Sequence, residues 1–385
     1  MQLTHEHEQL RDTVRRWIAE DVNPNVEEWE RAEIFPAHDL FRRMGELGLL
    51  GLTKPLENGG AGLDYSYEAV LTEGLADIKC GGVAMGIGVQ TDMCTPALAK
   101  HGSLELRNEF LTPAVSGEYV GCIGVSEAGS GSDVASIRTS ARSDGDDYVI
   151  NGEKTWITNG TQADFCCLLT NTSDGPAHKN KSLVIVPMKV RGVTVAKKIR
   201  KMGMHSSDTA QIHFDDVRVP KRYRLGEEGR GFLYQMEQFQ FERLWASLRS
   251  CGVARRAISD TIDYTRERKA FGRSILDNQY VHFTLAELQV EVEALHALCW
   301  KGVEMVVRGD DATRFATMAK LKAGRLVRQV VDGCLQFWGG MGYADESSIS
   351  RMYRDTRLAS IAGGADEVML QVLCKMMGTL PKRSN

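Results

Sequence analysis

No stretch of this sequence approaches the roughly eighteen uninterrupted apolar residues that a membrane-crossing helix needs, so no transmembrane segment is expected. The N-terminus, Met1-Gln2-Leu3-Thr4-His5-Glu6-His7-Glu8, lacks a basic stretch followed by an apolar one, and nothing in it reads as a secretory leader. An excess of positive charge is missing too. The formal net charge is −4 and the isoelectric point is near 6.2, which removes any general attraction to nucleic acid. The nine cysteines have no framework spacing, and an odd count fits a reducing compartment better than a secreted one. A cytoplasmic, non-membrane protein without a nucleic-acid partner is expected. No metal site is expected either: His5 and His7 fit an acidic, solvated first helical turn better than a ligand pair. Low-complexity bias is absent, since 43% hydrophobic and 25% charged residues describe an ordinary globular chain.

At 385 residues the chain exceeds what a single core usually supports, so two or three domains are expected. From Thr4 to about Tyr119 the pattern is helical, with Leu10, Val14, Trp17 and Ile18 on one face and a second amphipathic stretch from Asp39 through Leu50. A glycine-rich loop, Pro55 to Gly62, interrupts it. Between about Val120 and Gly229 the period becomes that of strands: Ser182 to Val186, Val193 to Ala196 and Gln211 to Phe214. Tyr148-Val149-Ile150, Asn151-Gly152 and Glu153 to Ile157 read as a hairpin with a type I′ turn. Cys166 and Cys167 are expected as small buried hydrophobes in a strand. The run Lys197 to Lys201 fits a solvated strand end, or a surface facing an anionic ligand. After Phe232 long helices return, with Leu285, Leu288, Val292, Leu295 and Cys299 on one face and Phe315, Met318 and Leu321 opening another. The expected division is a helical domain over 1–119, a β domain over 120–229 and a helical bundle over 230–385.

Four motifs follow this order. Ile123-Gly124-Val125-Ser126-Glu127-Ala128-Gly129-Ser130-Gly131-Ser132-Asp133 offers backbone amides, small hydroxyls and room. Trp156-Ile157-Thr158 follows it, then Arg268-Lys269-Ala270-Phe271-Gly272 with Gln279, and finally Gln336-Phe337-Trp338-Gly339-Gly340-Met341-Gly342-Tyr343. Taken singly, the first is a strand-connecting loop, Trp156 a core residue and Gly339-Gly340 a helix stop.

Together the motifs resemble the acyl-CoA dehydrogenase family over essentially the whole chain. The resemblance implies an α+β fold with an N-terminal helical domain, a middle β-barrel-like domain and a C-terminal four-helix bundle. It also implies FAD as cofactor and an acyl-CoA thioester as substrate. By resemblance, Ile123, Val125, Ser126 and Gly131 belong to the flavin loop, and Ser132 touches the flavin pyrophosphate or the CoA portion of the substrate. Trp156 packs on the flavin, flanked by Ile157, and the Thr158 hydroxyl bonds its N5. Arg268 meets the pyrophosphate, where a planar fork of donors suits phosphate oxygens, and Phe271 and Gln279 belong to the same contact. Gln336, Phe337, Gly339 and Gly340 approach the adenosine part of a neighbouring subunit's FAD, and Glu367 completes the cofactor set. The resemblance thus implies a dimer or, the preferred reading, a homotetramer built as a dimer of dimers, with an electron-transferring flavoprotein as electron acceptor.

The departure from the family is as informative as the match. Many members carry their catalytic Glu in an Ile-Tyr-Glu-Gly-Thr sequence, where this chain reads Ile361-Ala362-Gly363-Gly364-Ala365. A minority, including isovaleryl-CoA dehydrogenase, supplies the carboxylate from the first bundle helix. The matching stretch here is Phe239-Gln240-Phe241-Glu242-Arg243-Leu244, which points to Glu242; Glu237 and Glu267 do not align. Among Phe239, Phe241, Leu244 and Trp245, a pKa raised towards neutrality is expected for Glu242. The plain alternative is a surface Glu242-Arg243 pair on a helix. By resemblance Arg243 meets the CoA adenosine or phosphate, Gln240 is a weaker substrate contact, and the Gly363 N–H binds the thioester carbonyl. Ala362, Gly363 and Gly364 leave room for a 3-methyl branch, as in isovaleryl-CoA or, the preferred reading, a longer chain such as citronellyl-CoA. Ala365 stands where the family has a Thr that bonds the cofactor. The rival readings are an acyl-CoA oxidase and a non-catalytic, flavin-holding binding protein.

Overall fold

The computed structural model describes residues 1–381. Eight helices build the first part: α1 (His5–Trp17), α2 (Val26–Ala32), α3 (Ala37–Glu46), α4 (Tyr65–Gly74), α5 (Gly81–Gly88), α6 (Thr95–His101), α7 (Leu104–Leu106) and α8 (Thr112–Val115). The apolar faces of α1 to α5 meet around Val14, Trp17, Phe35, Phe41, Met44, Leu71 and Ile87, whereas Leu98, Leu106 and Ala114 of α6 to α8 pack into the core of the middle part. The amphipathic stretch expected to run to Leu50 stops at Glu46, because Gly48 turns left-handed at φ 72°. The amides of Leu49 and Gly48 then close on the carbonyls of Met44 and Gly45, both at 2.9 Å, a Schellman closure. His7 also departs from expectation. Instead of lying in solvent it is buried, with Nδ1 accepting from the Thr4 amide at 3.1 Å and Nε2 2.8 Å from the Ser66 hydroxyl.

The middle part is a mixed eight-stranded sheet of β1 (Gly121–Gly124), β2 (Ser140–Asp144), β3 (Asp147–Thr158), β4 (Phe165–Asn171), β5 (Lys181–Pro187), β6 (Val193–Lys198), β7 (Thr209–Pro220) and β8 (Arg224–Leu225). Its order is β6-β7-β3-β2-β4-β5-β8, with β1 parallel to β4, so the strand path ends at β6 and β8. Cys166 and Cys167 are fully buried in β4, and Lys197 and Lys198 are solvated at the end of β6. The expected hairpin turn is elsewhere. Asn151 and Gly152 lie inside the continuous strand β3, at a break in its register with β7. The turn is formed by Gly145 and Asp146 between Asp144 and Asp147, with Gly145 at φ 59°. Gly152 is required for another reason: a Cβ there would stand 2.7 Å from the Thr139 Cα.

The last part is a bundle of α9 (Gly231–Glu267), α10 (Gln279–Val307), α11 (Thr313–Trp338) and the shorter α14 (Asp366–Met377), reached through α12 (Gly340–Tyr343) and α13 (Ser348–Thr356). A two-stranded ribbon, β9 (Lys269–Ala270) with β10 (Arg273–Ser274), joins α9 to α10. The face Leu285, Leu288, Val292, Leu295 and Cys299 is buried as expected. On α11 the buried face is one residue further on. Ala316, Ala319, Ala323 and Val327 point inward, while Phe315, Met318 and Leu321 are half-buried. Small residues let α11 approach its neighbours closely. No described helix is long and apolar enough to cross a membrane.

Candidate active site

Glu242 sits within α9 and is half-buried, in a stretch that holds the half-buried Phe239 and Phe241 and the buried Leu244 and Trp245. Burial raises its pKa to about 7, opposed by the charges of Arg243 and Lys320. Opposite it the chain turns through Gly363 and Gly364, at φ 63° and 95°, before α14 begins. A Cβ on Gly363 would stand 3.4 Å from the Glu242 Oε1 and 3.7 Å from the Lys320 Cε. Two segments more than a hundred residues apart thus meet at one point, the carboxylate of one facing the bare backbone of the other. The Gly363 amide donates to no protein acceptor among the described residues. Glu237, by contrast, pairs with Lys100 at 2.8 Å on the surface, and Glu267 is exposed at the end of α9.

Around this point Arg243 is buried, with Nη1 3.2 Å from the Thr317 hydroxyl, and its Nε has no partner among the described residues. Gln240 is half-buried, Ala362 exposed and Gly364 half-buried. Lys320 went unnoticed in the sequence. It lies on the buried alanine face of α11 and spans to the loop, donating to the carbonyls of Ala359 at 2.7 Å and Gly364 at 2.6 Å. Its sequence signal is a lysine in phase with Ala316, Ala319 and Ala323.

The Ile123 to Ser132 segment is pinned from the strand side. Lys154, fully buried, donates to the Val125 carbonyl and to Glu127, each at 2.9 Å, and the Thr155 amide donates to the Ser126 carbonyl at 2.9 Å. The Ser126 amide has no protein acceptor among the described residues, Val125 is buried, Ile123 is half-buried, and Gly131 and Ser132 are exposed. Next to it Trp156 is 62% exposed at φ 65°, in a bulge where β3 loses register with β7 between Lys154 and Ile157. A large aromatic held outward in left-handed backbone is the opposite of a core tryptophan, and such strain gathers at functional sites. Ile157 is buried beside it and Thr158 half-buried. An outward ring next to an unengaged amide and small hydroxyls fits a planar, hydrogen-bonding group such as a flavin.

The remaining motif residues gather at one end of the bundle. Arg268 is exposed just past α9, Phe271 is fully exposed at φ 52° on the β9–β10 ribbon, and Gln279 is exposed at the start of α10. Gln336, Gly339 and Gly340 are exposed where α11 stops, whereas the Phe337 side chain is buried. Tyr264 stacks on Trp338 at 4.2 Å and Tyr280 meets Phe337 at 5.9 Å, tying the three segments together. Glu367 stands apart, exposed in the first turn of α14. The end of α9 is about 37 Å along the helix from Glu242, at about 1.5 Å per residue.

Comparison with known proteins bears on all three parts. The pattern "Acyl-CoA dehydrogenase, N-terminal domain" matches residues 4–118, the middle-domain pattern 122–217 and the C-terminal-domain pattern 229–378. The chain is 32% identical over 373 residues to the short-chain specific acyl-CoA dehydrogenase, mitochondrial, of Mus musculus, covering 97% of this chain and 90% of that one. It is 35% identical over 378 residues to the long-chain specific acyl-CoA dehydrogenase, mitochondrial, of Rattus norvegicus, covering 97% and 86%. A glutaryl-CoA dehydrogenase from Mycobacterium smegmatis, solved in complex with FADH2, superposes with a TM-score of 0.92 at 27% identity, covering 99% of this chain and 97% of that one.

Proposed function

The chain belongs to the acyl-CoA dehydrogenase family, an FAD-dependent enzyme acting on an acyl-CoA, and on that premise we propose that Glu242 is the base that removes the substrate α-proton. The observation that carries this reading is the meeting of Glu242 with the side-chain-free Gly363, so that the α9 carboxylate reaches the space a residue at 363 leaves open. The Gly363 amide is then the donor to the thioester carbonyl, stabilising enolate character as the proton leaves. Arg243, with a buried and unpartnered Nε, holds the CoA adenosine or phosphate end, aided by Gln240 and Ser132.

FAD, when bound, would supply the acceptor for the hydride of the β-carbon. Val125, Ser126, Gly131, Trp156, Ile157 and Thr158 would hold the flavin and exclude water from its face. Arg268, Phe271 and Gln279, at the end of the bundle about 37 Å along α9 from Glu242, would meet the FAD pyrophosphate, and Gln336, Gly339 and Gly340 the adenosine part of the FAD of a neighbouring copy in a homotetramer. Phe337 contributes only backbone, and Glu367 completes the set. The electron acceptor is an electron-transferring flavoprotein.

A 3-methyl-branched substrate is proposed, of citronellyl-CoA or isovaleryl-CoA type. The Glu242 carboxylate fills part of the room at Gly363, so the branch is accommodated chiefly at Ala362. Anaerobic addition of straight and 3-methyl-branched thioesters is expected to bleach the flavin fastest with a branched one; faster bleaching by straight chains of every length would sink this specificity. The base also sets a pH profile. A carboxylate with a pKa near 7 accepts a proton only when ionised, so the reduction rate is expected to rise tenfold per pH unit below that value and level off above it. A rate constant across about pH 5 to 9 would rule out Glu242 as the titrating base.

A further inference from the structure

We propose that Lys320 is a positioning residue for this reaction: it holds the 359–364 loop so that the Gly363 amide faces the substrate carbonyl, and its charge favours the ionised form of Glu242. The inference rests on the assignment of Glu242 as base. Lys320 is 1% exposed, on a buried helix face whose nearest neighbours are the small residues Ala316, Thr317, Ala323 and Gly324. A lysine in such a place is unfavourable unless its ammonium is fully used. Two of its three donors go to Ala359 and Gly364, which bracket Gly363 in the chain, at 2.7 and 2.6 Å. At the second anchor the backbone takes two successive left-handed residues, Gly363 and Gly364 itself. On the other side of the loop Arg328 donates to the Ser360 hydroxyl at 3.0 Å, so the strap is tied to α11 at both ends.

Capping two carbonyls does not need a cation; a neutral amide would serve. The charge has a purpose in what surrounds it. Glu242 and Arg243 face Lys320 from α9 and Asp366 faces it from α14, while Asp366 is itself engaged by Arg325 at 3.3 Å. Burial lowers the Lys320 pKa to about 8, with Asp366 and Glu242 holding it up and Arg243 pressing it down, so it stays cationic at neutral pH. Together with Arg243 it is one of two cations that oppose the effect of burial on Glu242. It forms no contact ion pair with Glu242, which leaves the carboxylate free to take a proton.

Two variants separate clamp from charge. Lys320→Met removes both, and Lys320→Gln keeps an amide donor for the loop carbonyls but no charge. In Lys320→Met, flavin reduction is expected to slow about 100-fold, as for a reacting group displaced by an ångström. Its rise with pH is expected to shift upward in both variants. Binding to the oxidised holoenzyme supplies a readout independent of turnover. Acetyl-CoA has no β-hydrogen to lose, and S-ethyl-CoA is its counterpart without a carbonyl oxygen. Lys320→Met is expected to lose the preference for acetyl-CoA over S-ethyl-CoA by about tenfold, the worth of one hydrogen bond, while Lys320→Gln keeps it. FAD content and the unfolding midpoint check that each variant is folded; if Lys320→Met is not, Lys320→Gln decides through its pH profile. An unshifted pH profile in Lys320→Gln, or an unchanged thioester preference in a folded Lys320→Met, overturns the proposal. If Glu242→Gln is inactive while these outcomes hold, only Lys320 is misassigned; if Glu242→Gln is active, the base assignment itself has failed.

Discussion

Glu242→Gln is expected to slow reduction of the flavin by an acyl-CoA about 10²- to 10⁴-fold, the usual contribution of a general base, while leaving FAD bound. The substitution is nearly isosteric, so the fit against the Gly363 backbone is preserved and only the capacity to take a proton is lost. Neither Glu237 nor Glu267 replaces it. Glu237 is held by Lys100 at 2.8 Å on the surface, Glu267 is at the far end of the same helix, and Gly363 offers no side chain. Stopped-flow absorbance of the flavin under anaerobic conditions measures the effect, and bound FAD is read from the visible spectrum of the purified variant. A variant that bleaches at the wild-type rate would show that the proton goes elsewhere.

The helical, β, helical order was legible because the hydrophobic period changes from 3.6 to 2 and back, a signal that survives ignorance of every contact. What failed was whatever depends on a partner distant in sequence. Asn151-Gly152 has the composition of a turn, but Gly152 is there because Thr139 lies against its backbone, and the real turn uses Gly145. Phe315, Met318 and Leu321 are bulky apolar residues in the first half of α11, yet close helix contact selected the face of small residues beside them. The outward Trp156 could be expected only from its place in a series of motifs, since its exposure comes from a bulge set by β7. Lys154 and Lys320 were missed for the same reason. Each is a charge at an apolar phase, and its meaning is supplied by Glu127 or by the carbonyls of Ala359 and Gly364 across the fold. Such an out-of-phase lysine is a usable signal, because an unpaired one would not be tolerated.

Lys154→Met is expected to destabilise the protein by about 3–5 kcal/mol, since it strands a buried carboxylate. In the Lys154–Glu127 pair the two side chains are 0% and 6% exposed. Glu127 accepts from the amides of Arg138 and Thr139 at 2.7 and 2.9 Å, the Thr139 hydroxyl at 2.6 Å and Lys154 at 2.9 Å. Burial pushes the Glu127 carboxyl up, but Lys154 and these donors outweigh it, so its pKa lies below the ordinary value of 4.5. On Lys154 burial wins instead and the pKa is lowered despite Glu127. A depressed carboxyl contributes stability above its unfolded pKa and loses it as pH falls through the folded one. In Lys154→Met the sign reverses: Glu127 moves upward, and protonating it relieves the penalty. The stability deficit relative to wild type is therefore expected to be full at neutral pH and to shrink as pH falls towards 4 to 5. The same lysine fixes the Val125 carbonyl at 2.9 Å, so weaker retention of FAD should accompany the loss. Denaturant unfolding at neutral and acid pH measures both size and sign. A deficit under about 1 kcal/mol, or one that grows on acidification, would show that the pair does not hold the flavin loop in this way.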